Sequence, residues 1–227
     1  MKKITICVCS SRTFIDRAKV AKVTVAAQKA GIEVSLVSDL CELCETKAEE
    51  VHDIAKTTIV ACHPRAVKSL MAFVGEDGVQ SLNLRTGSVD DVLQALGVQP
   101  IEVSDDDADG WMKQMEAMPR KLGDDAWYPT LDKDACAECG KCLAFCPFGV
   151  YEMVDERIRV VHPTHCKNNC PACARTCPAS AIIFPKYDRS PINGGEEQQE
   201  YAVKLDTREL YAQTLRDRLL TRKKLIK

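Results

Sequence analysis

Residues 1–98 alternate short β-branched runs with longer amphipathic ones. Ile4-Thr-Ile-Cys-Val8 is a compact apolar run of the kind a buried strand makes. Thr13 to Ala30 carries a helical stripe of Phe14, Ala18, Val25 and Ala26, and Gly31 stands where a helix-ending glycine belongs. Ile32 to Val37 predicts a second strand, and Ser38-Asp39 opens a turn holding Cys41 and Cys44. Lys47 to Lys56 predicts a helix and Thr57 to Ala61 a third strand. Pro64 falls at the first position of another helix, running through Phe73, where its missing N–H costs nothing. Val79 to Leu84 predicts a fourth strand, and Ser88 caps a last helix through Leu96. Strands alternating with helices call for a parallel sheet with right-handed crossovers.

The pattern then loosens. Residues 99–126 read as a linker, with a solvated acidic run at Asp105-Asp106-Asp107 and Asp109. Within it Trp111, Met112, Met115 and Met118 lie at near-helical spacing, as a short helix packing between two parts would have them. Trp127-Tyr128-Pro129 predicts an edge strand, since proline cannot give a ladder hydrogen bond. Gly149 to Met153 and Arg157 to Val161 predict a hairpin across Asp155-Glu156, and Ala181 to Phe184 a returning strand. Lys186 to Glu200 is a polar loop. Asp206 to Lys227 predicts a helix capped by Asp206 or Thr207, with Leu210, Leu215 and Leu219 near one face. Its basic end, Arg222 to Lys227, complements the helix dipole or serves as a docking arm for a partner subunit.

Composition narrows the class. The chain has 227 residues, of which 45% are hydrophobic, enough for one large core or two small ones. A formal net charge of −2 gives no reason to expect nucleic acid or an anionic membrane as the main partner. Met1-Lys2-Lys3 leads into an apolar run that Ser10, Ser11 and Arg12 interrupt, too short for a signal segment. No run approaches the ~18–20 apolar residues of a membrane helix, so a cytoplasmic location is expected. Thirteen cysteines without an export signal argue against disulfides and for metal.

Eight of those cysteines form two runs. The first is Cys136, Cys139, Cys142 and Cys146-Pro147; the second is Cys166, Cys170, Cys173 and Cys177-Pro178. Structural zinc sites use paired knuckles four ligands at a time, and do not call for runs of three plus one each closing on Cys-Pro. Three closely spaced thiolates can wrap one cubane, while the fourth, followed by proline, points away to the other. Cys136, Cys139, Cys142 and Cys177 are then expected to hold one [4Fe–4S] cluster, and Cys166, Cys170, Cys173 and Cys146 a second. The stretch resembles a two-cluster bacterial-type ferredoxin over residues 127–195. It departs from the pattern at one point: three residues, not two, separate Cys166 from Cys170, which widens a loop without removing a ligand. The fold class expected is an α/β domain at 1–98, a linker at 99–126, an α+β ferredoxin-like dicluster domain at 127–195, and a helical extension at 196–227. With eight cysteines filling two clusters, His162 and His165 are not expected as ligands, nor are His52 and His63.

Five cysteines remain. Cys7, inside the first strand, reads as a small buried hydrophobe. Cys9, Cys41, Cys44 and Cys62 follow strands one, two and three, at carboxyl ends that an open parallel sheet gathers on one rim. Two chemistries fit that rim: a third [4Fe–4S] cluster, or a reactive thiol pair at Cys41 and Cys44. Cys62 precedes a helix N-terminus, which would lower its pKa in either case. Cys7-Val-Cys9-Ser-Ser, Asp39-Leu-Cys41 and Val60-Ala-Cys62-His63-Pro64-Arg65 resemble the N-terminal domain of heterodisulfide reductase A subunits over residues 4–73. That family's flavin-binding part is absent, and no Gly-x-Gly-x-x-Gly occurs, so neither flavin nor NAD is expected.

These observations predict an anaerobic electron-transfer protein or subunit serving a redox partner or larger oxidoreductase complex. Two rivals stay open. One is a reductase subunit whose N-terminal cysteines act on a disulfide or other small substrate. The other is a redox-sensing adaptor docking through its last helix.

Overall fold

The computed structural model describes residues 2–99, 103–119 and 125–196. Strand β1 (Lys3–Cys7) leads to helix α1 (Arg17–Lys29), strand β2 (Glu33–Val37) and helices α2 (Leu40–Glu45) and α3 (Glu50–Ala55). Strand β3 (Thr58–Ala61), helix α4 (Pro64–Phe73), strand β4 (Gln80–Asn83) and helix α5 (Val89–Leu96) complete this part. The four strands form one parallel sheet in the order β2-β1-β3-β4. Period-two alternation sorts the side chains of β1. Ile4, Ile6 and Val8 face the core under α1 and α5, while Cys7 faces the core built by α2, α3 and α4.

Local chemistry explains most boundaries. Ser88 and Asp91 form a reciprocal capping box at the start of α5. Helix α1 begins later than its apolar pattern suggests, because the Asp16 carboxylate accepts the Ala18 N–H and so caps the helix there. Phe14 therefore lies outside α1 and Ala18 is exposed; the buried face is Val20, Ala21, Val23, Thr24 and Val25 to Ala27. The turn expected after β2 is helix α2, capped by Asp39, whose carboxylate accepts from the N–H groups of Cys41 and Glu42.

Helix α6 (Asp105–Glu116) occupies the stretch expected as a linker. Ser104 caps it, the acidic run makes its first turn, and Asp107 pairs with Lys29 of α1 at 2.7 Å. Met115 is fully buried, and Trp111, Met112 and Met118 pack on the same core as α1.

The C-terminal part contains β5 (Thr130–Leu131), α7 (Lys141–Phe145), β6 (Tyr151–Val154), β7 (Arg157–Val160), α8 (Ala172–Thr176) and β8 (Ile182–Ile183). β6 and β7 form the expected hairpin, and Asp155 and Glu156 both take positive φ at its turn, at 50° and 60°. β5 pairs antiparallel with β8. Trp127 to Pro129 is not a strand. Trp127 instead stacks on Phe184 at 5.2 Å, and Tyr128 turns toward the N-terminal part, against Phe73 at 5.4 Å.

By contacts the chain divides into Met1–Glu196 and Glu197–Lys227, so the sheet and the C-terminal part belong to one compact unit. Arg65 ties them, bonding Asp132 and the Ser180 carbonyl, both at 2.6 Å. The segment after β8 also folds back onto α4. A Cβ at Gly194, whose φ is +86°, would sit 2.8 Å from the Ala66 side chain. The helix predicted over 206–227 lies outside the described residues. Among the described residues no helix is long and apolar enough to cross a membrane.

Candidate metal centres

The first quartet is assembled by turns rather than by long elements. The Asp132 carboxylate accepts from the N–H groups of Asp134 and Ala135 and curls the chain into Cys136. Gly140, at φ 69°, starts α7 and carries Cys142 inward. Cys177 arrives from the end of α8. Cys136, Cys139, Cys142 and Cys177 then line one small pocket, walled by Leu131, Ile158 and Ile182. The Ala181 N–H donates to Cys177 Sγ at 3.3 Å, as amides do around cluster thiolates.

The second quartet draws Cys146 from the end of α7, Cys166 from a turn at Pro163–His165, and Cys170 and Cys173 from the start of α8. Burial, then the neighbouring thiols Cys173, Cys170 and Cys146, push the Cys166 thiol up to about 12. The three thiols acting on it are the three expected to share its cluster. The Tyr151 hydroxyl donates to Cys173 Sγ at 3.1 Å. Cys142, Cys146, Cys166, Cys173 and Cys177 all pack with a core of Trp127, Val150, Tyr151 and Phe184.

A third gathering lies in the N-terminal part. The strand order reverses between β1 and β3, so a crevice opens at their carboxyl ends, the place where open parallel sheets bind ligands. Cys9 follows β1 in a left-handed conformation, φ 52°, and Cys62 follows β3. Cys41 comes from the first turn of α2. With Cys7 they line a small pocket bounded by Phe14, Asp39, Arg85, Pro185 and Lys186. Like the space of the first quartet, it is lined by four cysteines.

This differs from the sequence expectation in three ways. Cys44 does not line the space; it is fully buried with Val51, Ile54 and Leu70, because α2 carries it one helical turn past Cys41. Cys7 takes the fourth place, and the Leu40 N–H donates to its Sγ at 3.4 Å. Its place at the last position of β1, two residues before Cys9, was the sequence signal available. Third, the Cys62 thiol is not lowered: burial and then Cys9 push it up to about 12, outweighing the start of α4. The Cys41 thiol is likewise pushed up by burial and by Asp39. Burial, then Asp39, push the Cys44 thiol up to about 12 as well.

Two charged residues that the motifs did not reveal close this space. Lys186, expected in a polar loop, is 4% exposed and bonds Asp39 at 2.7 Å and Ser11 at 2.8 Å. Ser11 also donates to Asp39. Asp125 stands 3.5 Å from Lys186 and pairs with Arg12 at 2.8 Å. Arg85 donates to the carbonyls of Pro185 and Tyr187 at 3.1 and 2.9 Å.

Among the described residues no three His, Cys, Asp or Glu side chains converge to hold a single metal ion. The sulfurs of Cys136, Cys139, Cys142 and Cys177, and those of Cys7, Cys9, Cys41 and Cys62, line a common space instead, as ligands at the corners of a cluster do. The donor set, all thiolate with N–H and O–H groups aimed at sulfur, fits [4Fe–4S] chemistry.

Fold and sites together define a dicluster iron–sulfur protein joined to a cysteine-bearing α/β part. Residues 128–178 match the family model for a 4Fe-4S dicluster domain. Ferredoxin-3 of Nostoc is 31% identical over 93 residues, covering 31% of this chain and 90% of that ferredoxin. The chain belongs to the 4Fe-4S dicluster ferredoxins. An uncharacterised ferredoxin of Methanocaldococcus jannaschii is 42% identical over 71 residues, 31% of this chain and 48% of the relative. The pyruvate synthase subunit PorD of Methanothermobacter marburgensis is 41% identical over 54 residues, 24% of this chain and 60% of the relative. The chain thus spans about half the length of the Methanocaldococcus protein and three-fifths of the pyruvate synthase subunit.

Proposed function

We propose that the chain is an electron-transfer subunit of a larger oxidoreductase, carrying single electrons between a partner and three [4Fe–4S] sites. Cys136, Cys139, Cys142 and Cys177 would hold the first, Cys146, Cys166, Cys170 and Cys173 the second, and Cys7, Cys9, Cys41 and Cys62 the third. A bound cluster supplies one-electron redox chemistry; the protein supplies thiolates, sulfur-directed hydrogen bonds and exclusion of water. The observation that carries the third site is that this crevice, like the space of the first quartet, is lined by four cysteines.

Packing suggests the order of the relay. Cys166 of the second quartet touches the N-terminal core that holds Cys7, Cys9, Cys41 and Cys62. Arg12, in the loop after Cys9, donates to Asn169 at 2.8 Å, beside Cys170. Electrons would then pass between the N-terminal site and the first quartet by way of the second. That PorD is a pyruvate synthase subunit supports a partner of the same general kind, and the N-terminal resemblance supports a complex of heterodisulfide reductase type.

Iron and acid-labile sulfide on anaerobically purified full-length protein test this reading. About twelve irons per chain are expected. About eight would remove the third site, and tightly bound zinc without sulfide would remove all three.

A further inference from the structure

We infer that Arg85 is the counter-charge of the N-terminal cysteine site, and that the ferredoxin part completes this site by fixing Arg85 in its wall. The inference rests on the three-cluster reading above. Arg85 follows β4, where the Asn83 side chain accepts the Arg85 N–H at 3.0 Å and shapes the turn. It lines the same enclosed space as Cys9, Cys41 and Cys62.

The groups in direct contact with it are uncharged; the Asp188 carboxylate acts on it from further off and does not line the space. The guanidinium lies over the Phe14 ring at 4.1 Å and donates to the carbonyls of Pro185 and Tyr187. Among the described residues no carboxylate forms an ion pair with it, whereas Lys186, the other cation in the wall, is balanced by Asp39. Arg85 is therefore the residue that brings net positive charge to the space. The two carbonyls that hold it come from the segment after β8, more than a hundred positions away for Tyr187. Without that segment neither the guanidinium nor the Pro185–Lys186 wall is in place.

The consequence is electrostatic. Four thiolates give a [4Fe–4S] centre a net negative charge, and each added electron deepens it. A half-buried cation stabilises the reduced form more than the oxidised one, because its attraction grows with the charge it faces and is weakly screened there. Arg85 thus raises the potential of the N-terminal site.

Wild type, Arg85→Met and Arg85→Lys, each as the full chain purified without oxygen, are assayed for iron and titrated potentiometrically with EPR detection. In Arg85→Met the N-terminal signal is expected to move to a more negative potential or to be lost, while the two ferredoxin signals stay in place and report an intact fold. Arg85→Lys, which keeps the charge, should return the N-terminal signal toward its wild-type potential. Arg85→Met titrating as wild type with about twelve irons would overturn the inference and leave the three-cluster reading standing. Loss of the N-terminal signal from both variants would overturn it too, since Arg85 would then be only a clamp. About eight irons in the wild type would overturn the three-cluster reading itself, and this inference with it.

Discussion

Lys186→Met is the sharpest test of how the two parts are joined. The lysine side chain is 3% exposed and its ammonium meets Asp39, 4% exposed, at 2.7 Å. Methionine replaces the aliphatic stem and removes the charge. Asp39 is then a buried carboxylate that keeps the Ser11 hydroxyl and the N–H groups of Cys41 and Glu42 but has lost its cation. Breaking one side of a buried pair costs about 3–5 kcal/mol, and the remaining donors place this case near the lower end, about 3 kcal/mol. Asp125 softens the loss further, since Arg12 still neutralises it.

Unfolding an iron–sulfur protein releases iron, so the useful quantity is a rate rather than an equilibrium constant. If the contact is absent from the transition state, about 3 kcal/mol makes unfolding on the order of a hundredfold faster. Stopped-flow mixing into guanidinium under argon, followed by loss of cluster absorbance, measures it. Asp39→Asn keeps an oxygen to cap α2 and removes the orphaned charge. The double variant should therefore unfold more slowly than the product of the two single effects implies. A Lys186→Met protein unfolding within twofold of wild type, or single effects that simply multiply, would refute the buried-pair argument.

Three further predictions are independent of that one. Burial, with Arg85 nearby, lowers the His63 imidazole from 6.5 to about 4, so the folded chain holds it neutral while the unfolded chain binds a proton. Stability should therefore be full above about pH 6.5 and fall as pH drops toward 4, by up to about 3 kcal/mol. Slower unfolding at pH 7.5 than at pH 5 in wild type, and a flatter profile in His63→Phe, would bear this out; identical profiles would refute it. Tyr151→Phe removes the hydrogen bond to Cys173 and should move the second quartet's potential to more negative values without iron loss. EPR-monitored titration reads this, and an unmoved potential counts against it. Cys7→Ser should lower iron toward about eight atoms per chain, whereas Cys44→Ser should leave about twelve. The reverse result would restore Cys44 to the N-terminal site.

Much of this protein is legible in its sequence because the relevant information is local. The two cysteine runs declare their chemistry through spacing alone, since a few residues between thiolates determine which can reach one cluster. The strand and helix order of residues 1–98 follows from β-branched runs, Pro64, and the Ser88 cap, each a signal spanning one turn or one strand. Even the rim of cysteines is implied once the sheet is parallel, because carboxyl ends must then share an edge.

The rest depends on contacts between distant positions. Whether Cys44 or Cys7 faces the crevice turns on Asp39 capping α2, which converts a turn into a helix and carries Cys44 into the core. The acidic run at 105–107 is solvated where described, at Asp106 and Asp107, but it starts a helix rather than a loop, one whose Met115 is buried against α1. Lys186 and Arg85 are ordinary charged residues in their own neighbourhoods. They become part of the N-terminal site because the segment after β8 folds back over the crevice, where burial makes an ion pair costly to break and an unbalanced cation strong. Thiolate spacing along the chain is enough to propose the ligands of the ferredoxin sites; only the packing of one part on the other decides the walls and charge of the N-terminal crevice, because burial arises when the distant segments meet.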